Sequence, residues 1–184
     1  MKVVIDTCSL LSLVRYYLPF DKNNVLYNFM EEKIENKEFI ILDKVFEECK
    51  YTAKGIVAEK LKYLSNKKNL VKTDELFPSK KFFNQLDNQF INHSAKNKLD
   101  SVEYENRRAE YLNLADVKLL LYGLKVKQNE LAQCSIVTEE TEKANDNKFF
   151  KKIPAICKIL DLNVLTLPQL FAKSDGIEIK ISTL

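Results

Sequence analysis

The start of the chain, MKVVIDTCSLL, places a short apolar run directly before an acid. An unbroken run such as Lys2–Ile5 predicts a strand that is covered on both faces, as strands of parallel sheets are. Sites in open parallel sheets form beyond the carboxyl ends of the strands, and Asp6 occupies that position. Asp6 is also suited to cap the helix that follows it. Taken alone, this stretch supports the capping role and the site role equally.

Further strands and helices alternate along the rest of the chain. The patterns predict strands at residues 39–42, 134–138 and 163–166, and residues 177–181 alternate like an edge strand. Helices are predicted at residues 9–17, 24–35, 44–55, 56–64, 78–90, 113–124, 154–160 and 168–171. This order predicts an α/β fold with a mainly parallel central sheet and helices on both faces, a three-layer α/β/α arrangement. Residues 56–112 are expected to form a helical insertion or lid over that sheet.

Length and composition narrow the class of protein. A chain of 184 residues is expected to form a single domain, spanning residues 1–184. It contains no apolar run long enough to cross a membrane and no secretory signal pattern, which predicts a cytoplasmic protein. The four cysteines form no paired motif, so neither a zinc site nor a disulfide framework is predicted. The glycine-rich loops that cradle nucleotide phosphates are absent.

The basic residues are unevenly distributed. The net charge is +3, but residues 54–81 hold eight lysines against three acids, a local charge of +5. Such a segment suits a polyanion held by its phosphates, and it equally suits a solvated lysine-rich face.

Four acids are predicted to meet at one end of the sheet: Asp6, Glu48, Asp116 and Glu140. Glu48 borders the core-facing stripe of its helix, and Asp116 lies in a first helical turn if Asn113 is the N-cap. Clustered carboxylates repel one another unless a cation neutralises them. Their oxygen ligands favour Mg²⁺ or Mn²⁺, and no histidine or cysteine is placed to select zinc.

Five short motifs in this order resemble the PIN domain family, in particular its longer branch of uncharacterised bacterial proteins. The resemblance covers most of the chain. It rests on Val4-Ile5-Asp6-Thr7-x-Ser9-Leu10-Leu11, Val45-x-x-Glu48, Ala115-Asp116-x-x-Leu119-Leu120, Val137-Thr138-x-Glu140 and Ile153-Pro154-x-x-Cys157.

The resemblance implies a metal-dependent endoribonuclease, often the toxin of a toxin–antitoxin pair such as the VapC type. It implies that Asp6, Glu48, Asp116 and Glu140 are the catalytic and metal-binding acids. RNA is then the substrate, Lys152 and Arg15 are candidate phosphate contacts, and an antitoxin protein and a second copy of the chain are candidate partners. Many family members carry Thr-x-Asp after the fourth strand, whereas here Glu139 and Glu140 compete for that position.

Three other classes of protein share features with this sequence. A haloacid-dehalogenase-type phosphatase also begins with a strand and an aspartate, but it needs a second aspartate where this chain has Cys8. A structure-specific DNA nuclease would share the acids and the metal ions. A non-catalytic PIN-like binding protein would keep the fold without metal binding.

Overall fold

The computed structural model describes residues 2–129, 133–142 and 148–179, and in these residues one parallel sheet forms the centre of the protein. Its five strands are β1 (Lys2–Ile5), β2 (Phe39–Leu42), β3 (Leu70–Val71), β4 (Cys134–Val137) and β5 (Asn163–Leu165). The strand order is β3-β2-β1-β4-β5, and every pair is parallel. Helices flank the sheet, so the predicted three-layer α/β/α fold is confirmed.

The apolar runs in the sequence become the buried middle of this sheet. In β1, Val3, Val4 and Ile5 are fully buried, and β2 and β4 are buried along their whole length. Strands covered on both faces need no polar alternation, which is why these segments are continuously apolar. Because β1 lies between β2 and β4, its carboxyl end is at the centre of the sheet edge.

Ten α-helices occur in the described part of the chain. Their bounds are α1 Thr7–Ser12, α2 Val25–Glu35, α3 Asp43–Tyr51, α4 Ile56–Lys60, α5 Lys80–Gln85, α6 His93–Lys96, α7 Ser101–Leu112, α8 Ala115–Asn129, α9 Ile153–Leu160 and α10 Leu167–Lys173. A π-helical turn, Leu13–Tyr17, extends α1, and another, Leu86–Phe90, extends α5. None of the helices described is long and apolar enough to span a bilayer.

The segment 56–112 is joined to the main body of the protein. It supplies β3 to the sheet, and Phe82, Leu86 and Phe90 belong to the same hydrophobic core as the strands. Its far side meets the residues after β4, where Ile91 forms an antiparallel bridge with Phe150.

Three local predictions are wrong. Residues 177–179 form no strand, although Ile177 packs against the core, and Lys180 and Ile181 lie outside the described residues. Asn113 is not the N-cap of the next helix, because it is the C-cap of α7 and its side-chain amide donates to the carbonyl of Ala109 at 3.0 Å. Asp116 is therefore the second residue of α8, which begins at Ala115. The third helix ends at Tyr51, before Gly55, because a 3₁₀ turn, Thr52–Gly55, follows it.

Candidate acidic site

Asp6 lies where the sheet edge meets the start of α1, and it serves as the N-cap of that helix. Its Oδ1 accepts a 2.6 Å hydrogen bond from the backbone N–H of Thr7. Its Oδ2 accepts bonds from the Cys8 thiol at 2.8 Å and from the Thr138 hydroxyl at 3.0 Å. Thr138 follows β4, so the carboxyl ends of two neighbouring strands are linked through one buried carboxylate. Capping and membership of a site are thus compatible roles for Asp6.

Glu48 reaches the same region from α3. The hydroxyl of Thr7 donates to its Oε2 at 2.7 Å, which ties α3 to the end of β1. Its neighbour Glu47 is exposed and pairs with Lys44 at 3.2 Å. The helix therefore directs Glu48 toward Asp6 and Glu47 toward solvent, as 100° of helical rotation requires.

Asp116 shows most directly that the acids interact. Burial raises the pKa of its carboxyl to about 7, and the charges of Asp6, Glu140 and Glu48 add to that increase. Lys148 opposes it. Neither oxygen of Asp116 accepts a hydrogen bond from another described residue. Four carboxylates from different parts of the sequence thus act on one another.

The pKa of Asp6 is also raised. Burial is the largest cause, and the charge of Glu140 contributes. The hydrogen bonds from Cys8, Thr138 and Thr7 lower it and offset part of the cost of burial. Both aspartates are therefore held where an isolated negative charge is unfavourable.

The two glutamates after β4 diverge. Glu140 Oε2 accepts from the backbone N–H of Ile153 at 3.0 Å, and its backbone N–H donates to Thr138 Oγ1. Glu139 Oε1 instead accepts from the N–H of Leu167 at 2.7 Å, at the start of α10. Only Glu140 acts on both Asp6 and Asp116. Asp6, Glu48 and Glu140 thus lie near enough to Asp116 for their charges to raise its pKa, after burial, whereas Glu139 is directed elsewhere.

A cavity of about 250 Å³ opens beside Asp116 and Glu140. The side chain of Lys148 is close to the acids, since its Nζ lies 3.9 Å from Glu140 Oε1. We call this cavity the aromatic–lysine pocket. Its lining residues are Tyr111, Leu114, Asp116, Glu140, Lys148, Phe149, Phe150, Lys151 and Lys152.

Part of this site could not be predicted from the sequence. Lys152, a predicted phosphate contact, lines the pocket, whereas Arg15 is not among the lining residues. Tyr111, Phe149 and Phe150 were not predicted, although the run Phe149-Phe150-Lys151-Lys152 mixes aromatic and basic residues in the way nucleic-acid contacts do. The thiol of Cys8 donates to Asp6. Nothing in the sequence indicated this contact, because Cys8 stood out only as the residue found where a phosphatase would have its second aspartate.

The chemistry of the four acids fits a hard divalent cation. Their donors are carboxylate oxygens, and the pKa of Asp116 is raised by burial and then by the neighbouring negative charges, whose repulsion a cation would relieve. The side chains do not stand as a ready-made ligand group, however. Within residues 2–129, 133–142 and 148–179, no three His, Cys, Asp or Glu side chains are arranged to hold a metal ion.

The fold defines a class: a three-layer α/β protein with a central parallel sheet, in which the charges of Asp6, Glu48 and Glu140 act on Asp116. The sequence matches the family described as "Domain of unknown function (DUF4411)" over residues 3–176. The chain therefore belongs to that family. No curated protein and no solved structure matches it.

Proposed function

We propose that this protein is a metal-dependent endoribonuclease that hydrolyses RNA phosphodiesters at the acidic site. One observation carries the proposal: burial raises the pKa of Asp116, and the charges of Asp6, Glu140 and Glu48 raise it further. Carboxylates that repel one another destabilise the fold unless a bound positive charge neutralises them. A divalent cation provides such a charge and can bind a phosphate at the same time.

In this proposal Asp6, Glu48, Asp116 and Glu140 would hold Mg²⁺ or Mn²⁺. When bound, the ion would supply a water of lowered pKa and stabilise charge on the phosphate. Asp116 would bind the ion as a carboxylate, so metal binding would lower the raised pKa of this group. Thr7 and Thr138 orient Glu48 and Asp6 through their hydroxyls.

Lys148 supplies a positive charge at the rim of the acids. Its Nζ lies 3.9 Å from Glu140 Oε1 and its charge lowers the pKa of Asp116. A lysine in that position attracts a phosphate to the edge of an otherwise negative site. The RNA substrate, the toxin role, the antitoxin and homodimer partners and the cytoplasmic location rest on the resemblance to the PIN domain family and on composition.

A second candidate is a non-catalytic PIN-like binding protein. The observation that favours it is the absence of a preformed ligand group of three side chains in the described part of the chain. The fold would then be retained while the acids serve the capping and linking contacts of Asp6 and Glu140.

Cleavage assays separate these functions. We expect the purified protein to cleave labelled RNA when Mn²⁺ or Mg²⁺ is present and to stop when EDTA is added. Single-stranded DNA and flap DNA, run in parallel, test the structure-specific DNA nuclease. Glu47→Gln is the matched control for Glu48→Gln, because Glu47 lies on the same helix but pairs with Lys44 in solvent. Cleavage that persists in Glu48→Gln and Asp116→Asn would show a contaminating nuclease, and the proposal would then be abandoned.

A further inference from the structure

We infer that the aromatic–lysine pocket binds one unpaired nucleobase of the substrate, with the adjoining phosphates held by lysines at its rim. This inference rests on the proposed function and specifies its substrate as single-stranded. It also gives the segment 56–112 a role, since Tyr111 belongs to that segment and lines the pocket.

Aromatic rings form the apolar wall of the pocket. Phe150 stacks on Tyr111 with ring centroids 3.7 Å apart and planes 11° apart. Phe149 stands nearly perpendicular to Phe150, at 4.8 Å and 84°. Tyr111 is buried, whereas the two phenylalanines are only half-buried and border the cavity. Half-exposed rings beside a cavity are stacking surfaces for a base of any identity.

Positive charge surrounds these rings. Lys148 and Lys151 are exposed, and Lys152 also lines the cavity. The guanidinium of Arg107, on α7, lies 5.4 Å from the centre of the Phe149 ring. Rings interleaved with basic side chains can bind a base and its phosphates together, which is the usual pattern for single strands.

The pocket is built into the fold and is not a loose surface feature. The backbone N–H of Lys151 donates to Phe90 O at 2.8 Å, and the N–H of Asn92 donates to Phe149 O at 2.9 Å. Two phenylalanines are thereby fixed against the segment that ends in α7. Because Asp116 and Glu140 form another wall of the same cavity, a base held there places its phosphate next to the acids.

The dimensions of the pocket favour an unpaired base. At about 250 Å³ it lies just below the range of roughly 300–1,000 Å³ that is usual for small-molecule sites. A duplex presents its bases stacked and paired, so their faces cannot meet a protein ring without being extruded at a cost of a few kcal/mol. A single strand avoids most of that cost.

The test measures binding separately from cleavage. Fluorescence anisotropy of the wild-type chain in EDTA compares labelled oligouridylate, oligodeoxythymidylate and a blunt RNA duplex. We expect both single strands to bind about ten-fold more tightly than the duplex. Phe149→Leu should weaken single-strand binding about ten-fold, since one base–ring stack is lost. Phe20→Leu, which removes a more exposed ring (80% exposed) outside the pocket, should leave it unchanged.

Two further variants guard against a folding artefact. Phe149→Tyr keeps the ring and should keep the affinity. Lys151→Ala should reduce the slope of log affinity against log salt by about 1, because one phosphate contact is lost. Equal affinity of oligouridylate and oligodeoxythymidylate supports base stacking without readout of the ribose hydroxyl.

Several results would overturn the inference: no binding of any oligonucleotide, a duplex bound as tightly as a single strand, or Phe149→Leu binding like the wild type. Binding that depends on Phe149 in a protein that cleaves no nucleic acid would support the pocket and refute the nuclease. Cleavage that is unaffected by Phe149→Leu and equal on duplex and single strand would support the nuclease and refute the pocket.

Discussion

Glu139 and Glu140 are neighbours in the sequence, but their carboxylates bind the starts of two different helices. Glu139 accepts from Leu167 N at 2.7 Å, at the first residue of α10, and Glu140 accepts from Ile153 N at 3.0 Å, at the first residue of α9. Each carboxylate satisfies a backbone donor that the helix itself leaves unpaired. Only Glu140 faces the other acids, so the two residues can be separated by experiment.

We expect Glu140→Gln to abolish cleavage and Glu139→Gln to preserve it. Glutamine keeps a carbonyl oxygen for the helix N–H in both variants, so each should lose less than about 1 kcal/mol of stability. The difference between them then reports charge at the site. Cleavage rates and urea unfolding of both proteins measure it. If Glu139→Gln were the inactive variant, the fourth acid would be Glu139.

The pH dependence of stability tests the environment of Asp116. Its pKa is raised from 3.8 to about 7 in the folded protein, so the folded state holds the proton more tightly than the unfolded state between these values. Stability from this group is therefore present at low pH and is lost as the pH rises toward 7. Asp116→Asn removes that loss, and we expect the variant to be more stable than wild type by about 1–2 kcal/mol near pH 8 without metal.

Urea unfolding near pH 5 and near pH 8 in EDTA would show this difference. Asp161→Asn is the matched control, because Asp161 is exposed and Lys127 lowers its pKa. A lowered pKa affects stability only at acidic pH. The free energy of unfolding of this control should therefore change between the two pH values by as much as that of wild type. An Asp116→Asn protein with the pH profile of wild type would mean that the pKa of Asp116 is not raised in the folded protein.

Asp6 combines two roles that one substitution can separate. Asparagine caps a helix as well as aspartate does and keeps an acceptor for Thr7 N–H, so Asp6→Asn should preserve α1. It removes a buried negative charge, and we expect stability without metal to rise by about 1 kcal/mol. RNA cleavage should be lost, because a neutral amide is a poor ligand for a hard cation. Cleavage at the wild-type rate would exclude Asp6 from the site.

Much of the fold could be predicted because strands that are buried on both faces have continuously apolar sequences. The runs Lys2–Ile5 and Phe39–Leu42 are apolar for that reason, and the acids that follow parallel strands must share an edge. The edges of the sheet were harder. Leu70–Val71 is a strand of two residues and leaves no pattern, whereas residues 177–179 alternate but form no strand.

The site also has a part that could be predicted from the sequence and a part that could not. Asp6 and Glu140 could be predicted from their positions after strands. The aromatic–lysine pocket depends on the contact between Tyr111 and Phe150, which are distant in the sequence. No local periodicity records such a pairing. The start of α8 was misplaced because Asn113, a common N-cap residue, instead ends α7 two residues before Ala115.

Metal binding can be measured without any substrate. If the four acids take up Mn²⁺, the ion stabilises the folded state by mass action, and a concentration of about 100 times Kd should raise Tm by roughly 5 °C or more. Because protons compete for Asp116, whose pKa is about 7, the increase should be larger near pH 8 than near pH 5.5. Scanning calorimetry with and without Mn²⁺ at the two pH values provides the measurement.

Matched variants decide whether the ion occupies this site. Asp116→Asn and Glu140→Gln should lose most of the Mn²⁺-dependent rise in Tm, because each removes one of the acids that act on one another. Glu139→Gln and Glu47→Gln should keep it, since Glu139 binds the start of α10 and Glu47 pairs with Lys44. Binding must draw side chains together, because no three of them are prearranged in the described residues, and this cost lowers the affinity. An equal rise in Tm in all four variants would place the ion elsewhere, and no rise in wild type would favour the non-catalytic binding protein.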